Sequence, residues 1–131
     1  MTPENYKQDF MLYLETQIQS CRQEESRLIG DCRKDEANFC RIRANVFEIF
    51  KTLFTSAQKS AVNKSSQDRD TEIQKNFLNK ASRIPENWVA SRQKAEEHQD
   101  AARLLIENTK LQAAREVTEQ FSLIFGRKEN S

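Results

Sequence analysis

Hydrophobic residues are most concentrated between positions 44 and 54, where the chain reads Ala-Asn-Val-Phe-Glu-Ile-Phe-Lys-Thr-Leu-Phe. At about 100° per residue, one stripe of a helix over this segment contains Val46, Ile49, Phe50 and Leu53. Phe47 and Phe54 widen the stripe. A helix that is apolar over so much of its surface has to be covered on several sides. This segment is therefore predicted to be the centre of a helical bundle or half of a subunit interface.

A second apolar stripe begins near the N-terminus, and its spacings of three, four and seven residues predict a helix to about residue 29. Its members are Tyr6, Phe10, Tyr13, Leu14, Ile18, Cys21 and Leu28. The sequence Thr2-Pro3-Glu4 marks the start, since Thr2 can cap the helix and Pro3 suits its first turn.

The junction at 29–35 leaves two interpretations open. Gly30 could adopt the left-handed conformation that ends helices, with Asp31 or Asp35 capping the next helix. Yet a seven-residue pattern continues through this glycine in phase from position 11 to position 53, which would fit one long coiled-coil-like helix. We favour a bend or break, because a chain of this size could hardly cover such a helix by itself.

Further helices are predicted along the rest of the chain. A second helix spans about 35–59, and the serine-rich residues 56–67 predict a loop or a frayed turn. Ser66 or Asp68 then caps a third helix, which Pro85 ends. A short fourth helix is anchored by Trp88, and the last spans about 100–125, with Asp100 as a possible cap and Gly126 as its stop. Residues 127–131 are predicted to be a disordered tail.

Composition favours helices throughout. The 131 residues include only two Gly and two Pro, too few for the many tight turns of a sandwich or barrel. We therefore expect an all-α fold, an antiparallel bundle of four to five helices with long first, second and last members, forming one domain over 1–126. Three cysteines, with no C-x-x-C pair, favour reduced thiols. With no recognisable leader or membrane span, a cytoplasmic protein is expected.

Common catalytic and metal-binding patterns are missing. His98 is the sole histidine, and a solvated position near a helix end is its expected place. Ala95 stands three residues before it, so the Glu-x-x-His motif of ferritin-like metal centres does not occur. Cys21, Cys32 and Cys40 lack the close ligand pair of structural zinc sites. Because there is also no glycine-rich phosphate loop, we expect no cofactor.

The charge of the chain does not predict binding to a polyanion such as nucleic acid. The net charge is +1, from 21 basic and 20 acidic residues, so no overall field attracts nucleic acid. The alternative function is a nucleic-acid or regulatory binding module that uses the basic residues near 33–43 and 59–69. Acidic residues are interleaved with these basic ones, and a mixed solvated surface is the preferred interpretation.

Two sets of candidate residues follow from these stripes. The core or interface candidates are Phe47, Phe50, Phe54, Trp88, Phe121 and Phe125. Polar residues close to the apolar stripes are candidates for a buried network that fixes helix register, the alternative being that they face solvent. These are Asp35, Asn38, Arg43, Asn45 and Glu107.

Three short motifs resemble a known family. They are the stretch Arg33-Lys34-Asp35-Glu36-Ala37-Asn38, the segment Ile49-Phe50-Lys51-Thr52-Leu53 and the segment Ile84-Pro85-Glu86-Asn87-Trp88. With these motifs the chain resembles small uncharacterised all-helical proteins of Gram-positive bacteria. The resemblance implies no activity, cofactor or site.

The sequence as a whole predicts a non-enzymatic helical protein that acts through protein-protein association. A homodimer is expected, because the segment 46–54 carries more hydrophobic surface than a small bundle needs.

Overall fold

The computed structural model describes residues 3–129, with side chains for 6–65 and 68–126. Five α-helices make up almost all of this range, and no strand occurs within it. They are α1 (Pro3–Gly30), α2 (Lys34–Ser60), α3 (Ser66–Arg83), α4 (Glu86–Glu97) and α5 (Ala101–Glu129). The prediction of an all-helical fold of four to five helices is confirmed.

Helix α2 is the centre of the fold. It packs against α1, α3 and α5, whereas the main contacts of α4 are with α5. Val46, Phe47, Phe50 and Phe54 are buried on its inner face, while Ile49 is 38% exposed. The predicted stripe was therefore wrong for Ile49, because the buried face is centred on the phenylalanines.

The buried side chains form one aromatic cluster, in which seven phenylalanines and Tyr6 of α1, α2, α3 and α5 pack together with smaller apolar residues. Phe10 lies in its middle, with ring centroids 4.9 Å from Phe54, 5.4 Å from Phe77 and 5.1 Å from Phe121. All three pairs meet edge to face, an arrangement that ring quadrupoles favour. Helices from both ends of the chain are held together by this cluster.

The chain breaks between α1 and α2, as we favoured, but not by the expected glycine cap. No glycine among the described residues has a positive φ, and the left-handed residue is Cys32, with φ 61°. The Arg33 amide donates to the Leu28 carbonyl at 2.8 Å and the Cys32 amide to the Ile29 carbonyl at 3.1 Å. This is the Schellman pattern of a helix end. The predicted caps Asp31 and Asp35 were wrong, because Arg33 precedes α2 and no side chain caps it.

The same pattern joins α4 to α5. Gln99 has a φ of 55°, and the Asp100 amide donates to the Ala95 carbonyl at 2.9 Å. The predicted cap of α5 is confirmed, because Asp100 Oδ1 accepts a hydrogen bond from the Arg103 amide at 3.0 Å.

The connector between α2 and α3 is shorter than predicted. Helix α2 continues to Ser60, since Ala57 and Ala61 are buried against the aromatic cluster. Ser65 caps α3 in place of Ser66 or Asp68, and its hydroxyl accepts a hydrogen bond from the Asp68 amide. The predicted loop 56–67 is therefore wrong over its first five residues, which belong to α2, and over its last two, which belong to α3.

Two other predicted boundaries can be compared with the helices. Helix α3 ends at Arg83, just before Pro85 as expected, and α4 starts directly after that proline. Gly126 does not stop α5, which continues to Glu129, because a single glycine does not force a helix to end. The end of the predicted tail 127–131 and the Thr2 cap lie outside the described residues.

Candidate interaction surfaces

Five of the six core or interface candidates are buried inside the chain's own fold. These are Phe47, Phe50, Phe54, Phe121 and Phe125. The sixth, Trp88, is half-buried and packs against the edge of the aromatic cluster. The phenylalanines of 46–54 are therefore buried within one chain, so an interface has to be formed by other side chains.

Trp88 lies in a small polar group between α4 and α5. Lys110 Nζ lies 5.9 Å from its ring centroid and 3.4 Å from Glu107 Oε1, and Arg103 Nη1 lies 3.6 Å from the same oxygen. Glu107 is only 1% exposed, and no described residue hydrogen-bonds its buried Oε2. Arg103 and Lys110 both approach this carboxylate from the partly exposed surface of α5. The contact between α4 and α5 is therefore formed by ion pairs as well as by apolar side chains.

Arg43 joins α2 to α5. Its Nη2 donates to Glu116 Oε2 at 2.7 Å, and its guanidinium carbon lies 5.5 Å from the Phe47 ring centroid. Burial, together with the negative charge of Glu116, raises the pKa of nearby Tyr13 to about 12. Burial also raises the pKa of the Cys21 thiol. These side chains form a partly buried polar seam beside the aromatic cluster, in which Tyr13 and Cys21 hold their protons at neutral pH.

The predicted five-residue network is not assembled in one place. Asn45 accepts a hydrogen bond from Arg22 at 3.1 Å on the surface, and Asn38 accepts one from Arg41 in its own helix. Asp35 is exposed in the first turn of α2. Asn38 and Arg43 are half-buried and Glu107 is buried, and the partners of all three come from outside the predicted set.

Four of the seven basic residues of the alternative function have side-chain partners within the described chain. Arg33 pairs with Glu36, Arg43 pairs with Glu116, and Arg41 bonds Asn38. In the second group, Arg69 donates to the backbone carbonyls of residues 62 and 64. A polyanion would have to displace these partners, which weakens its attraction to either group.

His98 ends α4 as its C-cap and is exposed, where the sequence placed it. Within the described residues, no three His, Cys, Asp or Glu side chains come together as a metal site would require. Over residues 3–129, no helix combines the length and the apolar content needed to cross a membrane.

One candidate surface lies between α1 and α2. Leu12 is 62% exposed and borders a shallow groove that Met11, Glu15 and Gln58 also line. Glu15 Oε1 lies 3.6 Å from Lys51 Nζ across the same two helices. Apolar and oppositely charged groups are therefore adjacent on this face.

A second candidate surface is the groove between α3, α4 and α5, with a volume of about 310 Å³. Its apolar lining consists of Ala81, Pro85, Val89, Leu111 and Ala114. Ser82 and Thr118 add hydroxyl groups, and Arg92 and Arg115 add two positive charges. We call this surface the α3–α5 groove.

Sequence reasoning did not single out Arg92 or Arg115. One signal was available, because Arg92 follows Val89 by three residues and Arg115 adjoins the stripe residue Ala114. Helical spacing places each arginine at the border of an apolar stripe. The sequence does not show which two stripes face each other across a groove, because that depends on how the three helices pack.

Comparisons of the chain with protein-family models, with curated proteins and with solved structures found no match. The resemblance to helical proteins of Gram-positive bacteria stays a prediction.

Proposed function

We propose that this protein is a cytoplasmic, non-enzymatic helical bundle that acts through protein-protein association and forms a homodimer. Its helices are proposed to pack in an antiparallel bundle, consistent with the short turns that join α1 to α2 and α4 to α5. The three cysteines, an odd number of free thiols, suit a reducing compartment.

The observation that carries the proposal is the apolar surface left exposed after the core is complete. The aromatic cluster is filled by residues of one chain, yet Leu12, Leu78, Val89 and Leu105 are each more than two-fifths exposed. Val89 lines the α3–α5 groove, Leu78 lies one turn before its lining residue Ser82 on α3, and Leu12 borders the groove between α1 and α2. Apolar side chains beside grooves are the usual form of a protein-binding surface.

The α1–α2 face around Leu12 is the proposed dimer contact. A two-fold interface places the same patch of both subunits together. Glu15 and Lys51 give this patch both signs of charge, so each carboxylate could meet the ammonium group of the other subunit around a Leu12 contact.

The test is the molar mass in solution, measured by light scattering at tens of micromolar. We expect a dimer for the native chain and a monomer for Leu12→Asp, because a carboxylate would be desolvated at the centre of the contact.

The matched control is Leu105→Asp, which places the same charge at a leucine that is 56% exposed on α5. It is expected to leave the dimer intact. A native chain that is strictly monomeric would remove the dimer from the proposal, and equal effects of both variants would remove this face as its contact.

A further inference from the structure

We propose that the α3–α5 groove binds an acidic amphipathic helix of a partner protein. The inference rests on the proposed function, protein association, and names the kind of partner. The groove is assigned to a different protein and the Leu12 face to the second copy of the chain.

The floor of the groove fits the apolar side of a helix. Ala81 of α3 and Ala114 of α5 are small, so a partner backbone can approach closely between the walls. Val89 stands in the α4 wall and is 43% exposed. Leu78 lies one turn before Ser82 on α3 and is exposed to the same extent. An amphipathic helix that places one or two leucine-sized side chains on such a floor is a common mode of recognition.

The positive charges of the groove favour a negatively charged partner. Most other arginines have a carboxylate within 4 Å, as Arg22, Arg33 and Arg43 do. Within the described part of the chain, the guanidinium groups of Arg92 and Arg115 have no ion-pair partner and no hydrogen bond. Two guanidinium groups beside one apolar floor are ready to bind carboxylates, which they can hold in bidentate geometry.

Carboxylates on the same helices do not neutralise these two arginines. Glu96 follows Arg92 by four residues, and Glu119 follows Arg115 by four. Within the described residues, neither carboxylate lies within 4 Å of its arginine, so neither forms an ion pair with it. The groove therefore keeps its positive charge, although the chain as a whole carries a net charge of only +1.

A helix is favoured over a nucleic-acid strand because most of the lining is apolar. Phosphate recognition needs many cations along a path, whereas this groove offers two beside five apolar residues. The expected partner segment carries leucines at helical spacing, with glutamate or aspartate one turn away on either side.

The experiment uses the full-length chain and a displayed library of 18-residue helical peptides. The leucine pattern is constant in the library, and the flanking positions vary among Glu, Gln and Lys. Selected peptides are synthesised, and their Kd is measured by fluorescence anisotropy at low and moderate salt. We expect Glu-flanked peptides to be enriched and to bind more weakly as salt increases.

The decisive variant is Arg92→Glu/Arg115→Glu, and we expect it to weaken binding of the Glu-flanked peptides by at least about tenfold. The control Lys59→Glu/Lys64→Glu makes the same change of net charge at exposed residues outside the groove, and it is expected to change Kd by less than about twofold. Circular dichroism confirms that both variants are folded. A Val89→Asn variant tests the apolar α4 wall without a change of charge, and it should weaken all selected peptides whatever their charge.

Three results would overturn the inference. One is equal enrichment of Lys-flanked and Glu-flanked peptides. Another is a Kd that Arg92→Glu/Arg115→Glu leaves unchanged. The third is a double variant that converts the homodimer to a monomer, which would make the second copy the occupant of the groove.

The proposed function fails separately from this inference. A dimer that is sensitive to Leu12→Asp, in a protein that binds no library peptide, would leave protein association standing and remove the acidic partner. A monomer that binds Glu-flanked peptides in the groove would remove the dimer and keep the partner.

Discussion

The aromatic cluster contains seven of the eight phenylalanines, whereas the helix halves next to the two turns bury very little. We call residues 15–43 and 84–112 the turn segments. Their buried side chains are Leu28, Ala37, Ala95 and Glu107. The eighth phenylalanine, Phe39, lies in a turn segment and is half-buried. Stability is therefore expected to be concentrated in the aromatic cluster, because apolar burial is its main source.

The turn segments are held by a different kind of contact. Ion pairs are frequent there, including Arg27 with Glu24 and Arg33 with Glu36, and these side chains are about half exposed. Exposed pairs of this kind contribute about 0–1 kcal/mol each. Both left-handed residues of the described chain, Cys32 and Gln99, also lie in or next to these segments. The α4 wall of the α3–α5 groove belongs to the less tightly packed region, where small adjustments on binding cost least.

The largest expected effect is the loss of stability when a phenylalanine of α2 is replaced by alanine, and it should differ between two positions of this helix. Phe54→Ala removes a ring that contacts Phe10 and Phe77 in the aromatic cluster. It should lower the free energy of unfolding by about 3–5 kcal/mol. Phe39→Ala should lower it by about 1 kcal/mol, because the half-buried site leaves a smaller cavity. Urea unfolding measures both values.

Similar losses at the two positions would contradict this division of the molecule. The slope of the unfolding transition with urea should stay the same, since both variants unfold the same surface. A changed slope would show that the variant no longer unfolds in one transition or that the compactness of its unfolded or native state has changed.

The next effect concerns the turn between α4 and α5. Gln99 holds a positive φ that glycine adopts without steric cost. We expect Gln99→Gly to raise the free energy of unfolding by about 0.5–1 kcal/mol, after the greater freedom of glycine in the unfolded chain is subtracted.

The matched control is Gln93→Gly, at an exposed position inside α4. It should lower the free energy of unfolding by about 1 kcal/mol, because glycine is unfavourable in a helix interior. A loss of stability in both variants would show that the turn is not strained. Thermal and urea unfolding report the two signs.

The smallest expected effect is a change of stability with pH. It concerns Tyr13, which lies at the border between the aromatic cluster and the turn segments. The pKa of Tyr13 is about 12 in the folded chain and about 10 in the unfolded chain. Between these values the folded protein keeps a proton that the unfolded chain loses. The free energy of unfolding should therefore fall as pH rises from about 10 to 12, by about 1 kcal/mol, because Tyr13 is only half-buried and solvent reduces the effect.

Tyr13→Phe is the comparison for this window. The difference between native and variant protein isolates Tyr13 from the lysines, which titrate over the same range. A constant difference in the free energy of unfolding between pH 9 and 12 would contradict the raised pKa.

Much of the fold could be predicted from the sequence, for reasons visible in particular residues. The periodic spacing of Phe47, Phe50 and Phe54 indicated a helix with one buried face, and scarce glycine and proline indicated an all-helical chain. Asp100 could be predicted as a helix cap because its side-chain oxygen accepts a hydrogen bond from an amide only three residues away. These are local relations, so a single sequence contains them.

The errors arose where local signals compete. The sequence predicted the helix end at Gly30, but the left-handed residue is Cys32, two positions later. Across this turn the Arg33 amide donates a hydrogen bond to the Leu28 carbonyl. Serines around 56–60 suggested a loop, yet burial of Ala57 and Ala61 keeps the helix intact to Ser60. Tertiary burial outweighs weak local preferences of this kind.

By itself the sequence determined that this protein is helical and that most of its phenylalanines are buried, because helical periodicity and apolar burial act over a few neighbouring residues. Only the tertiary structure decided that those phenylalanines are enclosed by one chain, and that Arg92 and Arg115 line the same groove without a carboxylate. The pairing of residues more than twenty positions apart depends on how helices pack and rotate against one another, which no local spacing fixes.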